Sequence, residues 1–183
     1  CIAALPAADA DTAHGLMRVL VAFGAPEQAA ELEFLLLTRP FGNATAIIVE
    51  TMAEIARDDA AMRLLACMTA SRPAVRHHAA QSLRARLQPE HAAALLELSR
   101  HADADVAGKA LGLLGQVPPT PSVRERLLAA LSESPLLAGH AVDALVALGA
   151  EVVDDLQAIL RRPARGRDTG YAALVLASIE QGT

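Results

Sequence analysis

The chain has 183 residues and a net charge of −5, with 53% hydrophobic and 20% charged residues. It holds 41 Ala and 28 Leu but only 2% aromatics and no Trp, a composition that excludes a β-sandwich or barrel, a disordered chain and a cysteine-stapled scaffold. No apolar run reads as long enough to cross a membrane, and the charge runs against a general nucleic-acid binder, because residues 1–71 hold 4 Lys/Arg against 9 Asp/Glu while residues 72–183 hold 12 of each.

At the start, Cys1-Ile2-Ala3-Ala4-Leu5 reads as the end of a helix whose beginning lies upstream, with a lipid-anchored amino-terminal cysteine as the alternative. No charged segment followed by an apolar one suggests a leader. Cys1 and Cys67 form no metal-binding spacing, so a reducing, cytoplasmic compartment is expected.

From there the chain repeats itself every 31 residues. One column runs Met17, Ile48, Ala79, Ala110, Ala141, Ala172, and a second, four residues on, runs Val21, Met52, Leu83, Leu114, Leu145, Leu176. The i, i+4 relation places both on one face of a helix, so each unit opens with an amphipathic helix. A second helix in each unit is predicted from Phe34, Leu65, Leu96, Leu127, Ala158 and the companion column Leu36, Cys67, Leu98, Ala129, Leu160. Ser71 with Pro73, Asp103 with Asp105, and Ser134 with Pro135 precede first helices; Pro89, Thr120 with Pro121, and Glu151 precede second ones. Gly115 and Gly149 stand where left-handed helix ends are expected. The predicted pairs cover 12–38, 43–71, 72–100, 103–132 and 134–162, followed by an unpaired helix over 168–180.

Arg72-Pro-Ala-Val75-Arg76-His-His-Ala79-Ala80-Gln-Ser-Leu83 and Asp103-Ala-Asp105-Val106-Ala-Gly-Lys-Ala110-Leu-Gly-Leu-Leu114-Gly115 resemble the short HEAT-like repeat. That repeat occurs in bilin-lyase-type HEAT proteins and in many bacterial scaffolds. The resemblance implies an all-α, right-handed α-solenoid of about six helix pairs, the last incomplete, forming one domain over 1–183 that is a piece of a longer solenoid or a whole one. It implies that first helices line the convex side and second helices the concave side that holds partners. The Val-Arg pair of the repeat is present only at Val75-Arg76, and its Arg position continues as Ala107, Ala138 and Thr169.

Two further columns are candidate functional features. Gly108, Gly139 and Gly170 stand in register, and glycine inside a helix costs about 1 kcal/mol relative to alanine, so close approach of adjacent first helices is expected along this line. Beside it run His78, Lys109, His140 and Tyr171, a row of hydrogen-bonding side chains one repeat apart. Their expected place is along the helix surface with tips in water, and a partner reading has them meet an acidic or phosphorylated ligand. Arg161 and Arg162 suit a helix C-terminus, which leaves Arg165 and Arg167 to grip phosphate, an acidic partner or the acidic half of a second copy. No two of the six histidines share an i, i+4 relation on a helix, and Cys67 falls in a core column, so neither a metal centre nor a thiol nucleophile is expected.

No catalytic constellation emerges and no cofactor is implied by the residues. The expectation is a non-catalytic module that binds another protein. The alternatives are a bilin-lyase-like cofactor-loading factor, in which His78, His140, Tyr171 and the arginines would face a bound tetrapyrrole, and a HEAT-like nucleic-acid module.

Overall fold

The computed structural model describes residues 2, 10–162 and 166–182, and among them it is all-helical with no strand. Helices α1 (Ala10–Phe23), α2 (Pro26–Thr38), α3 (Thr45–Ala56), α4 (Ala60–Cys67) and α5 (Pro73–Arg84) are followed by α6 (Ala92–Leu98), α7 (Ala104–Leu114) and α8 (Pro121–Ala130). The chain continues with α9 (Pro135–Leu148), α10 (Val153–Leu160) and α11 (Arg167–Gly182). The helices gather into two compact units, one over Cys1–Leu87 and one over Gln88–Thr183, and the boundary falls inside the third predicted pair.

Local chemistry explains the starts. Asp103 accepts a hydrogen bond from the Asp105 N–H at 2.9 Å, and the Thr120 and Ser134 hydroxyls accept from the N–H groups of Val123 and Leu137. Each satisfies one of the free donors of a helix N-terminus. Proline opens α2, α5, α8 and α9, where its missing N–H costs nothing.

Within the first unit α3 packs against both α1 and α5, and α4 against α2 and α5. Within the second, α9 packs against both α7 and α11, and α6 against α8. First helices therefore contact first helices one repeat away. The column Met17, Ile48, Ala79 in the first unit and Ala110, Ala141, Ala172 in the second is at most 1% exposed at every position. Its companion is buried at Met52, Leu83, Leu114 and Leu145, but Val21 is 48% exposed. A further buried column, three residues after the first, was not anticipated: Leu20, Thr51, Ser82, Leu113, Ala144, Val175.

The second-helix columns need correction. Phe34 is 63% exposed, and Ala158, Ala129 and Leu160 also face solvent. Leu65 and Leu127 of the first column and Leu36 and Cys67 of the second are buried as expected, but the row buried through every pair is Leu32, Leu64, Leu95, Leu127 and Leu156, at steps of 32, 31, 32 and 29. Turn length is the reason. Two residues separate α1 from α2, three separate α3 from α4, seven separate α5 from α6 and six separate α7 from α8, so the second helix slips in register while the next first helix recovers it.

The helix ends also differ from expectation at Gly115, which is right-handed (φ −68°, ψ −6°), whereas Gly149 is at φ 60°, ψ −128°. An 18-residue window within Pro135–Leu160 reaches a mean hydropathy of 1.7, but the stretch carries Asp143, Glu151, Asp154 and Asp155 and is two helices broken at Gly149. Arg57, at the end of α3, adopts nearly the Gly149 backbone (φ 52°, ψ −111°), a region hostile to a Cβ. Arg57→Gly is therefore expected to stabilise the first unit by about 1 kcal/mol. The check is a higher urea midpoint at unchanged m; a lower midpoint would contradict it.

Candidate functional site

The polar column does not converge on a site. His78 of α5 is half-buried and meets His77 edge to face, with ring centroids 5.3 Å apart at 71°. Lys109 of α7 is ion-paired through Nζ with Asp105 one turn earlier. His140 of α9 covers Gly108: a Cβ built on that glycine would lie 2.4 Å from His140 Cδ2 and 2.8 Å from Nε2. Tyr171 is half-buried on α11, Arg167 is exposed at its start, and Arg165, like Cys1, lies outside the described residues. Arg162 pairs with Asp168 at 3.5 Å and Arg161 bonds Gln157 at 3.0 Å. None of His78, Lys109, His140, Tyr171 and Arg167 lines any of four clefts found in the two units.

The glycine column is likewise corrected. Gly108 makes room for a side chain, not for a neighbouring backbone, and a Cβ at Gly139 or Gly170 would meet nothing within 4 Å. The close helix approach is at Gly115, where a Cβ would lie 2.7 Å from Ala144 Cα and 2.9 Å from its carbonyl oxygen.

The best-defined polar arrangement lies among the second helices of the second unit. On α8, Val123, Arg126, Leu127 and Ala130 are buried, an i, i+3, i+4, i+7 stripe that carries a guanidinium inward. Arg126 is 8% exposed. Its Nε donates to Ser99 Oγ at 2.9 Å and its Nη2 to the Ser99 carbonyl at 2.6 Å, at the end of α6. Its Nη1 and Nη2 also grip the Glu133 carboxylate, at 2.7 and 3.3 Å. This two-pronged geometry and the Ser99 acceptors compensate the buried charge. The network forms one wall of a cleft of about 540 Å³ that is also lined by Arg100, His101 and Glu125. A second cleft, of about 340 Å³, shares Glu125 and Ala129 with it and extends to Asp155, Arg162 and Asp168.

Sequence reasoning passed over Arg126. The predicted column passed through Leu127 beside it, and only the burial of Leu64 and Leu95 reveals that a step of 31 from them lands on Arg126.

The remaining buried polar groups do other work. Arg76, the one Val-Arg arginine, donates from Nη1 to the Ala70 and Ser71 carbonyls at 2.9 and 3.3 Å, tying the turn that precedes α5. Among the described residues no three His, Cys, Asp or Glu side chains converge as metal ligands. Cys67 is buried, and desolvation, reinforced by the Glu33 carboxylate and partly opposed by Arg63, pushes its thiol from 9.0 up to about 12. The native thiol is expected to react with a disulfide reagent only as fast as the first unit opens. Because the folded pKa is raised, its contribution to stability is complete below pH 9 and is lost as pH rises toward 12. Cys67→Ser should flatten that alkaline slope in denaturation series; an unchanged slope would rule the thiol out as its source.

No family model and no curated protein matches the chain. Among solved structures, it is similar to the crystal structure of an engineered protein from a structural genomics consortium, with 19% identity, a TM-score of 0.48 and coverage of 99% of this chain and 88% of the other.

Proposed function

We propose that the chain is a non-catalytic interaction scaffold of HEAT-like helix pairs, stacked as a right-handed α-solenoid, that holds another protein on its second-helix side. The observation that supports this reading is the position of the cleft walled by Arg126, Ser99 and Glu133: it lies between the turn after α6 and α8 and reaches the first helices only at Ala107 and Leu137, while Lys109 pairs within its own helix and His140 covers Gly108. Repeat architectures generate extended surfaces of this kind because no unit buries its own apolar stripe. Function then resides in whichever side chains that surface presents.

The test is site-specific photo-crosslinking in the cells that make the protein. A photoreactive residue at Ala129, exposed between the two clefts, should yield a discrete protein adduct, and the same residue at Leu174 on α11 should not. Adducts from Leu174 alone, or turnover of a small molecule by the pure chain, would overturn the reading.

A further inference from the structure

The geometry points to the partner's chemistry: the cleft between the turn after α6 and helix α8 takes an extended polypeptide segment that sets an acidic side chain against Arg100 and His101 and a basic one against Glu125. This rests on the interaction reading above and adds what the partner must carry.

The argument begins with which charges in the groove are already satisfied. Arg126 is not a free anion site, since Ser99 and Glu133 occupy its donors. Arg100 differs. It is exposed, its guanidinium donates only to the Leu96 carbonyl at 3.2 Å, and among the described residues no carboxylate is within ion-pair reach. Next to it, His101 Nδ1 accepts the Asp103 N–H at 3.0 Å, which leaves Nε2 as the ring's donor. The turn after α6 thus presents to the cleft a guanidinium with no carboxylate partner and an imidazole donor.

On the other bank, Glu125 of α8 is exposed and has no hydrogen-bond or ion-pair partner among the described residues. It lines both clefts, so with Ala129 it forms the ridge of α8 between them and is open to a chain lying in the first. A ligand with one sign of charge would satisfy one bank and be repelled by the other. A phosphate-rich polymer would meet the unpaired Glu125, while Arg126, Arg124 and Arg162 are already paired with Glu133, Asp155 and Asp168. A chain carrying both signs fits. Side chains of an extended chain alternate sides at about 3.3 Å per residue, so residues three positions apart face opposite walls and are about 10 Å apart along the chain. Such charge pairing contributes register and partner choice more than raw affinity.

The experiment uses the full chain, labelled with ¹⁵N, and three blocked ten-residue peptides in a Ser/Ala background carrying Glu and Lys, Glu and Glu, or Lys and Lys three positions apart. The Glu–Lys peptide should shift the amides of Arg100, His101 and Glu125 and bind about fivefold tighter than the other two. Arg100→Glu should transfer the preference to the Lys–Lys peptide and Glu125→Lys to the Glu–Glu peptide; both positions are exposed, so neither variant threatens folding. Equal binding of all three peptides, or shifts that avoid these residues, overturns the inference. If the peptides fail while Ala129 still crosslinks a protein, the inference falls and the interaction reading stands. If the crosslink fails too, both fall.

Discussion

Gly115→Ala is expected to destabilise the second unit by about 2 kcal/mol, and Gly115→Val by more, measured by urea denaturation. The glycine backbone is in the ordinary right-handed helical region, so no conformational strain attends the change. The cost is steric. A Cβ would sit 2.7, 2.9 and 3.0 Å from Cα, O and Cβ of Ala144, and two of these are backbone atoms that cannot rotate away. Ala144 is itself buried on α9, which packs against both α7 and α11, so the strain would pass along the row of first helices. The other glycines supply the control. Gly108→Ala displaces only the His140 ring, the movable end of a side chain, and should cost less, whereas Gly139→Ala fills open space on an exposed helix position and should stabilise by about 0.5–1 kcal/mol. Equal stability of the Gly115 and Gly139 alanine variants would mean that α7 and α9 do not approach closely at Gly115.

That contrast shows how far the sequence could be read. The period of 31 located the first-helix core because those helices keep their spacing: Met17, Ile48, Ala79, Ala110, Ala141 and Ala172 are all buried. The column at Leu20, Thr51, Ser82 and Leu113 escaped notice because two of its members are hydroxylated, and apolar periodicity does not count them. Ser82 shows why burial is tolerated there: Arg86 donates to its hydroxyl at 2.8 Å and to its carbonyl at 2.9 Å. The second helices were placed and their columns held at Leu36, Leu65, Cys67 and Leu127, but not at Phe34, Ala129, Ala158 and Leu160, since turn length between paired helices varies and a fixed step cannot follow it. The glycines were noticed as a column, yet only three-dimensional packing separates Gly108, which shelters an imidazole, from Gly139 and Gly170, which shelter nothing, and from Gly115, which alone among these abuts a neighbouring backbone. The groove was legible only as a side of the fold. Its chemistry depends on which of Arg124, Glu125 and Arg126 turns inward, and three adjacent charged residues on a helix carry no local mark that decides this.

Removing the inward arginine should be the costlier of the two groove-wall changes. Arg126→Met takes a guanidinium from a nearly closed site and leaves the Ser99 carbonyl without its 2.6 Å donor, an expected loss of about 3 kcal/mol. Glu133→Gln leaves the buried cation without its anion but keeps a hydrogen-bonding oxygen, so about 1–2 kcal/mol is expected. The double variant decides whether the pair acts as a unit. With Arg126 gone, Glu133 is a half-exposed carboxylate on a turn, and its further replacement should cost almost nothing, giving a coupling energy of about 1–2 kcal/mol. Additive losses would show that Glu133 holds the turn by some other route. The measurement also bears on the groove, because Ser99 immediately precedes Arg100 and Glu125 immediately precedes Arg126. The Arg126 network ties together the two backbone segments that carry the unclaimed charges, so Arg126→Met should weaken the Glu–Lys peptide even at temperatures where the unit stays folded, while Arg124→Met, which removes the ion pair to Asp155 at 3.4 Å, should not.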